Sequence, residues 1–292
     1  MKHQPTPRIK KDWAKREWRS IVSNSDFFQS DIRRVTKKID SELSEPTENE
    51  FGKYLSGSAS LAALTAAHAI EMFDASRVDM GWELIATSLQ YFLNEFKLDF
   101  AMGFPHAHPG VTNRASLIYC TALATKSRSV GEWTARFLVE TEAKQGSKLR
   151  PQTPNEFECL CFQLAAETIG VKAKPEWSTA IGMGMYYPLW SADSIRDIQD
   201  AIDLLAVNRA ALSLEVLDDY PPFETLPFTL FPVEILAVLL IRHAEQIHFD
   251  FGCIESPLCH PPAEIEWEKP RLLARLEDRI RERYDFPEVD WE

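Results

Sequence analysis

From Val233 to Ile241 the chain is apolar at every position except Glu234. A helix with no polar face must be covered on several sides, so this stretch sets a central helix around which the rest has to pack. Pro232 suits the first helical position, where its missing N–H costs nothing. Polarity returns at Arg242, His243, Glu245 and Gln246. Ile247, Phe249 and Phe251 then alternate with His248 and Asp250, the pattern of one short strand over 247–251. A proline-bounded loop, Pro257 to Pro262, closes the stretch.

The remainder reads as helices joined by short polar breaks. Lys10 to Val22 and Asp26 to Leu43 carry apolar residues at helical spacing among charges. Ser58 to Phe73 and Met80 to Phe96 form a hairpin, with Ala59, Ala62, Ala63, Ala66 and Ala67 small enough for close helix approach. Arg114 to Lys126 and Val130 to Lys144 are the next pair. Asn155 to Ile169 begins after Pro154 and stops at Gly170, as start and stop signals require. Residues 171–191 are aromatic and irregular, Ala192 to Asp218 is a long helical region, and Pro270 to Tyr284 is a charged terminal helix. No βαβ rhythm and no repeat at common solenoid periods is present. The expected fold is all-α: one domain over 1–292, an irregular multi-helix array compatible with a weakly repeat-like superhelix, with at most the short strand near 247–251. Residues 1–9 are expected to be loose and 285–292 to form an acidic tail.

With 292 residues, a chain buries roughly 75% of the surface its unfolded form exposes, so its core needs no metal or disulfide staple. Five cysteines in no small-domain framework point to reduced thiols and a cytoplasmic setting. No run of 18 apolar residues exists, and the basic N-terminus has no apolar core of a secretory signal. Residues 1–39 hold eleven Lys/Arg and four Asp/Glu, against a net charge of −12 for the whole chain. The main body is therefore strongly acidic. Repulsion from phosphates argues against nucleic acid as a partner of that body; a basic protein suits it better.

His243 and His248 are five apart, about 140° around a helix, and so do not share the face that the helical zinc motif requires. Cys253, Cys259 and His260 do not match structural zinc spacings. Cys159 and Cys161 point to opposite sides of a helix and read as core. Gly182 and Gly184 give G-x-G without the third glycine, the strand or the lysine of a phosphate loop. No nucleophile elbow or cysteine-nucleophile signature occurs. His106 and His108 lie in a Gly/Pro loop, and His68 and Glu71 are three apart on a helix. These four residues are what a metal-dependent helical enzyme would use, and that is the alternative function. A helical scaffold for a harmless partner is the other. The main reading calls for no cofactor, no metal and no catalytic residue.

Two acidic clusters stand out. Asp40 to Glu50 holds five acids and no base, and Asp193 to Glu224 holds eight acids against Arg196 and Arg209. In a helix Asp193, Asp197 and Asp200 share a face. Met183 to Trp190 is rich in residue types that populate interface centres. The candidate partner-binding residues are therefore Asp193, Asp197, Asp200, Asp218, Asp219, Tyr186, Tyr187 and Trp190.

One resemblance follows the same stretch that opened this reading. Leu230-Phe231-Pro232, the apolar helix Val233 to Leu240, the alternating Ile247 to Phe251 and Ser256-Pro257-Leu258 resemble the C-terminal part of the immunity protein 49 family of bacterial polymorphic toxin systems. Gly81-Trp82-Glu83-Leu84 extends the likeness. The resemblance implies an all-α cytoplasmic protein that binds and neutralises a cognate protein toxin. It carries no catalytic motif.

Overall fold

Where residues are described, the expected apolar stripes lie in helices. The computed structural model describes residues 18–46, 49–101, 111–145, 155–213, 233–242, 265 and 268–283. Residues 18–23 are helical, and eleven further α-helices follow: α1 (Ser25–Ser44), α2 (Glu50–Asp74), α3 (Val78–Ala101), α4 (Val111–Ala124), α5 (Arg128–Gln145), α6 (Glu156–Thr168), α7 (Ala180–Met183), α8 (Tyr187–Trp190), α9 (Ile195–Ser213), α10 (Val233–Arg242) and α11 (Arg271–Arg281). A 3₁₀ turn, Gly184–Tyr186, links α7 to α8. No strand occurs among the described residues. The strand expected near 247–251 lies outside them, as do 1–9 and 285–292.

The packing centre is the α2–α3 hairpin, with α1 laid along α2 and α4 beside α3. Ala62, Ala66 and Ala69 let α3 come close, and Ser88 Oγ donates to the Ala62 carbonyl at 2.7 Å. From Leu89 to Leu98, α3 is buried on every side, polar residues included. α10 is buried as its composition demands, Val233 to Leu239, mainly against α4 with α6 and α8 alongside.

One turn ends three helices, at Gly170 with a glycine and at two other places without one. α2 ends with Ser76 at φ 60°, the Ser76 N–H bonded to the Phe73 carbonyl and the Arg77 N–H to that of Met72. α4 ends with Lys126 at φ 58°, the Lys126 N–H bonded to Leu123 and the Ser127 N–H to Ala122. Both are Schellman caps, which normally favour glycine at the left-handed position. Both are followed by a glycine, Gly81 or Gly131, set against the side chain of Phe73 or Leu123 respectively. Corresponding residues are 50 positions apart. α2–α3 and α4–α5 are thus two copies of one hairpin plan, differing in helix length. The repeat escaped sequence reading because the shared signal is one glycine and a bond pattern.

Candidate partner-binding surface

The segment from Lys174 to Trp190 is fixed at many points. Lys174 Nζ pairs with Glu142 Oε1 at 2.9 Å and lies 5.3 Å from the ring centre of buried Trp177, which in turn packs on Phe162. Thr179 caps α7: its Oγ1 accepts the Gly182 N–H at 2.9 Å and donates to the Glu176 carbonyl at 3.0 Å. A Cβ on Gly182 would collide with that same carbonyl. Gly184 takes φ +48°, and a Cβ there would strike the Glu156 carboxylate, whose Oε2 accepts the Met185 N–H at 3.0 Å. Met183, Tyr186, Leu189 and Trp190 point inward as anchors. Ile181 stands 95% exposed at the tip.

α9 follows directly and touches α8 and the 3₁₀ turn. Ser194 begins it. Its Oγ accepts the Asp197 N–H at 3.2 Å and donates to Asp197 Oδ2 at 2.6 Å, and the acid sits where the helix dipole favours it. Ile198, Ala201, Ile202 and Leu205 face the core. Asp193, Asp197, Asp200 and Asp203 face solvent, together with Ile195 and Leu204. Arg196 stands 4.0 Å from Asp200, with both side chains largely exposed, an ion pair of little energetic weight.

The expected site residues divide accordingly. Asp193, Asp197 and Asp200 are all exposed, but α9 starts at Ile195, so Asp193 precedes the Ser194 cap and does not belong to the helical row. Tyr187 is half-buried beside them. Tyr186 and Trp190 are core residues: successive short turns send positions 183, 186 and 190 inward, where Tyr186 meets Phe157 and Trp190 lies under the Arg242 guanidinium at 4.8 Å. They offer no ring face to a partner. Asp218 and Asp219 lie outside the described residues. Ile181, Ile195, Leu204 and Asp203 were missed; an isolated aliphatic residue carries no sequence signal of which way it faces.

The metal candidates are only partly in view. His68 Nδ1 meets Glu71 Oε2 at 2.8 Å, and Gln29 Nε2 donates to the same oxygen at 3.4 Å, tying α1 to α2. His106 and His108 lie outside the described residues, among which no group of three or more His, Cys, Asp or Glu side chains is placed to hold a metal. Cys120 and Cys161 are buried with their sulfurs 3.5 Å apart, and burial pushes the Cys120 thiol well up, the neighbouring Cys161 adding to it. Such thiols are poor nucleophiles.

Charge also gathers at the seam where α11 docks on α1 and α3. Glu277, buried, takes Lys269 at 2.7 Å, Arg281 at 3.5 Å and buried Lys97 at 3.9 Å. Glu50, also buried, takes Arg279 and Arg283, each at 3.2 Å. Asp40 pairs with Arg275. Leu272, Leu273, Leu276 and Ile280 fill the apolar side of the same helix. Every acid here is matched, which marks the seam as structural.

Fold and surface together define an all-α array of helical hairpins that presents a fixed loop beside an acidic helix. No protein-family model matches the chain, and neither a curated protein nor a solved structure is significantly similar to it. Among the described residues no helix is long and apolar enough to cross a membrane.

Proposed function

We propose that this chain is an immunity protein of the immunity protein 49 type, which binds a cognate protein toxin in the cytoplasm and blocks it by stoichiometric occlusion. The observation that carries the reading is the exposed acidic face Asp193, Asp197, Asp200 and Asp203 beside an immobilised loop, on a chain of net charge −12. Such a face suits a basic partner, and proteins that handle nucleic acid or nucleotides are the usual basic ones. Opposite charge raises the encounter rate, which an inhibitor of a lethal enzyme needs more than extra affinity. The resemblance over Leu226 to Pro262 supports the same class. The role is binding rather than catalysis, so no cofactor enters it.

The test is growth of a bacterium expressing the polypeptide encoded beside this chain's gene, with and without this protein. Arrest rescued only by co-expression, with the two proteins co-purifying at fixed stoichiometry, is the expected result. Rescue without co-purification would replace occlusion by enzymatic repair, and a harmless neighbour would remove the immunity reading.

A further inference from the structure

The acidic face explains how a partner is drawn in; it does not explain what holds it. Burial of an aliphatic side chain is worth far more than a screened surface charge pair, so the anchor should be apolar, exposed and already in place. Most exposed apolar residues here are ordinary: Phe27, Val78, Met80 and Leu204 lie on long helices, each next to at least one acid in the chain. Ile181 differs in degree and in support. It is 95% exposed, against 59% for Phe27. It stands on a single helical turn held by the Thr179 cap, by the backbone approach that Gly182 alone permits, by the left-handed Gly184 and by the Glu156 carboxylate. Little conformational entropy remains to be lost there on binding, and pre-organisation of this kind is what turns an exposed side chain into an anchor.

We propose that Ile181 is the apolar anchor of the partner-binding surface, inserting into an apolar pocket with a basic rim on a protein partner. This rests on the immunity reading and names the residue that sets residence time. The choice of partner follows from charge. Between Lys172 and Leu205 the chain carries five acids and three bases, Lys172, Lys174 and Arg196, of which Lys174 is paired with Glu142. A basic rim meets that surround favourably, whereas a second copy of this chain would set acid against acid. Two roles follow: the acids govern association and Ile181 governs dissociation.

The experiment is surface-immobilised binding kinetics of the full-length protein with the polypeptide encoded beside its gene, comparing wild type, Ile181→Arg, Ile181→Ala and Asp200→Lys. Ile181 makes no buried contact, so unchanged thermal melts are expected for both Ile181 variants. Dissociation roughly 10- to 100-fold faster for Ile181→Arg, intermediate for Ile181→Ala, with association unchanged, is the expected result. Wild-type binding with both Ile181 variants dissociating at the wild-type rate overturns the anchor and leaves the immunity reading standing. Absence of wild-type binding overturns both. Self-association of the wild type in sedimentation, lost in Ile181→Arg, would overturn the choice of partner.

Discussion

Two regions of this molecule collect acids, and they do opposite things with them. At the α11 seam Glu277 and Glu50 are buried and surrounded by five cations: Lys97, Lys269 and Arg281 for the first, Arg279 and Arg283 for the second. Among the described side chains of α9 the acids are exposed and outnumber the one cation, Arg196. A buried charge without partners is costly, so the seam must balance. A solvated charge costs little to leave unbalanced, so α9 can keep an excess that biases the field outside the protein. Position relative to solvent, not residue type, separates an acid that holds the fold from one available to a partner.

The contrast can be attacked from both ends. The largest effect is expected at the seam. Glu277→Ala removes the buried carboxylate that faces Lys97, whose side chain is 2% exposed, and should cost about 3–5 kcal/mol in urea unfolding; a loss below about 1 kcal/mol would mean that water already reaches the pair. The seam should also be alkali-sensitive through Tyr91, whose phenol is pushed up to about 12 by burial, with the charge of Asp40 adding to the effect. The folded state then keeps a proton that the unfolded chain begins to lose near pH 10. The associated stability is intact below that pH and falls by roughly 3 kcal/mol as pH climbs to about 12. Tyr91→Phe should remove that part of the alkaline slope, and a slope shared by the variant would place its origin elsewhere. On α9 the effects on folding shrink. Asp197→Ala keeps the backbone N–H bond to Ser194 Oγ but loses the bond from that hydroxyl to the carboxylate and the acid at the helix N-terminus, and should cost about 1 kcal/mol in the same unfolding experiment. Asp193→Lys with Asp200→Lys should change stability by less than about 0.5 kcal/mol. If that double variant unfolds the protein, these acids belong with the seam and the contrast fails.

How legible this was in the sequence depended on range. Local patterns read well: the largely apolar α10 is buried, α1 and α11 bury one stripe each, and Asn155 caps α6 through a reciprocal bond with Glu158. The seam was invisible because Glu50 takes both its partners, and Glu277 its buried partner Lys97, from distant parts of the chain, and nothing local marks an acid that will be buried. Asp40 to Glu50 stands out in the sequence only as five acids without a base, yet its last residue is 1% exposed. The aromatic stretch misled for a different reason. Over turns as short as α7 and α8 no period establishes itself, so Tyr186 and Trp190 could not be assigned inward, nor Ile181 outward, until the glycine-fixed backbone was in view.

The measurement that bears most directly on the central claim is the association rate of this protein with the polypeptide encoded beside its gene, for wild type and for Asp193→Lys with Asp200→Lys, at about 50 and 500 mM salt, spanning Debye lengths of roughly 14 to 4 Å. An acidic face that recruits a basic partner predicts about tenfold slower association for the variant at low salt, and convergence of the two proteins at high salt. Equal rates for the two proteins at low salt would contradict it.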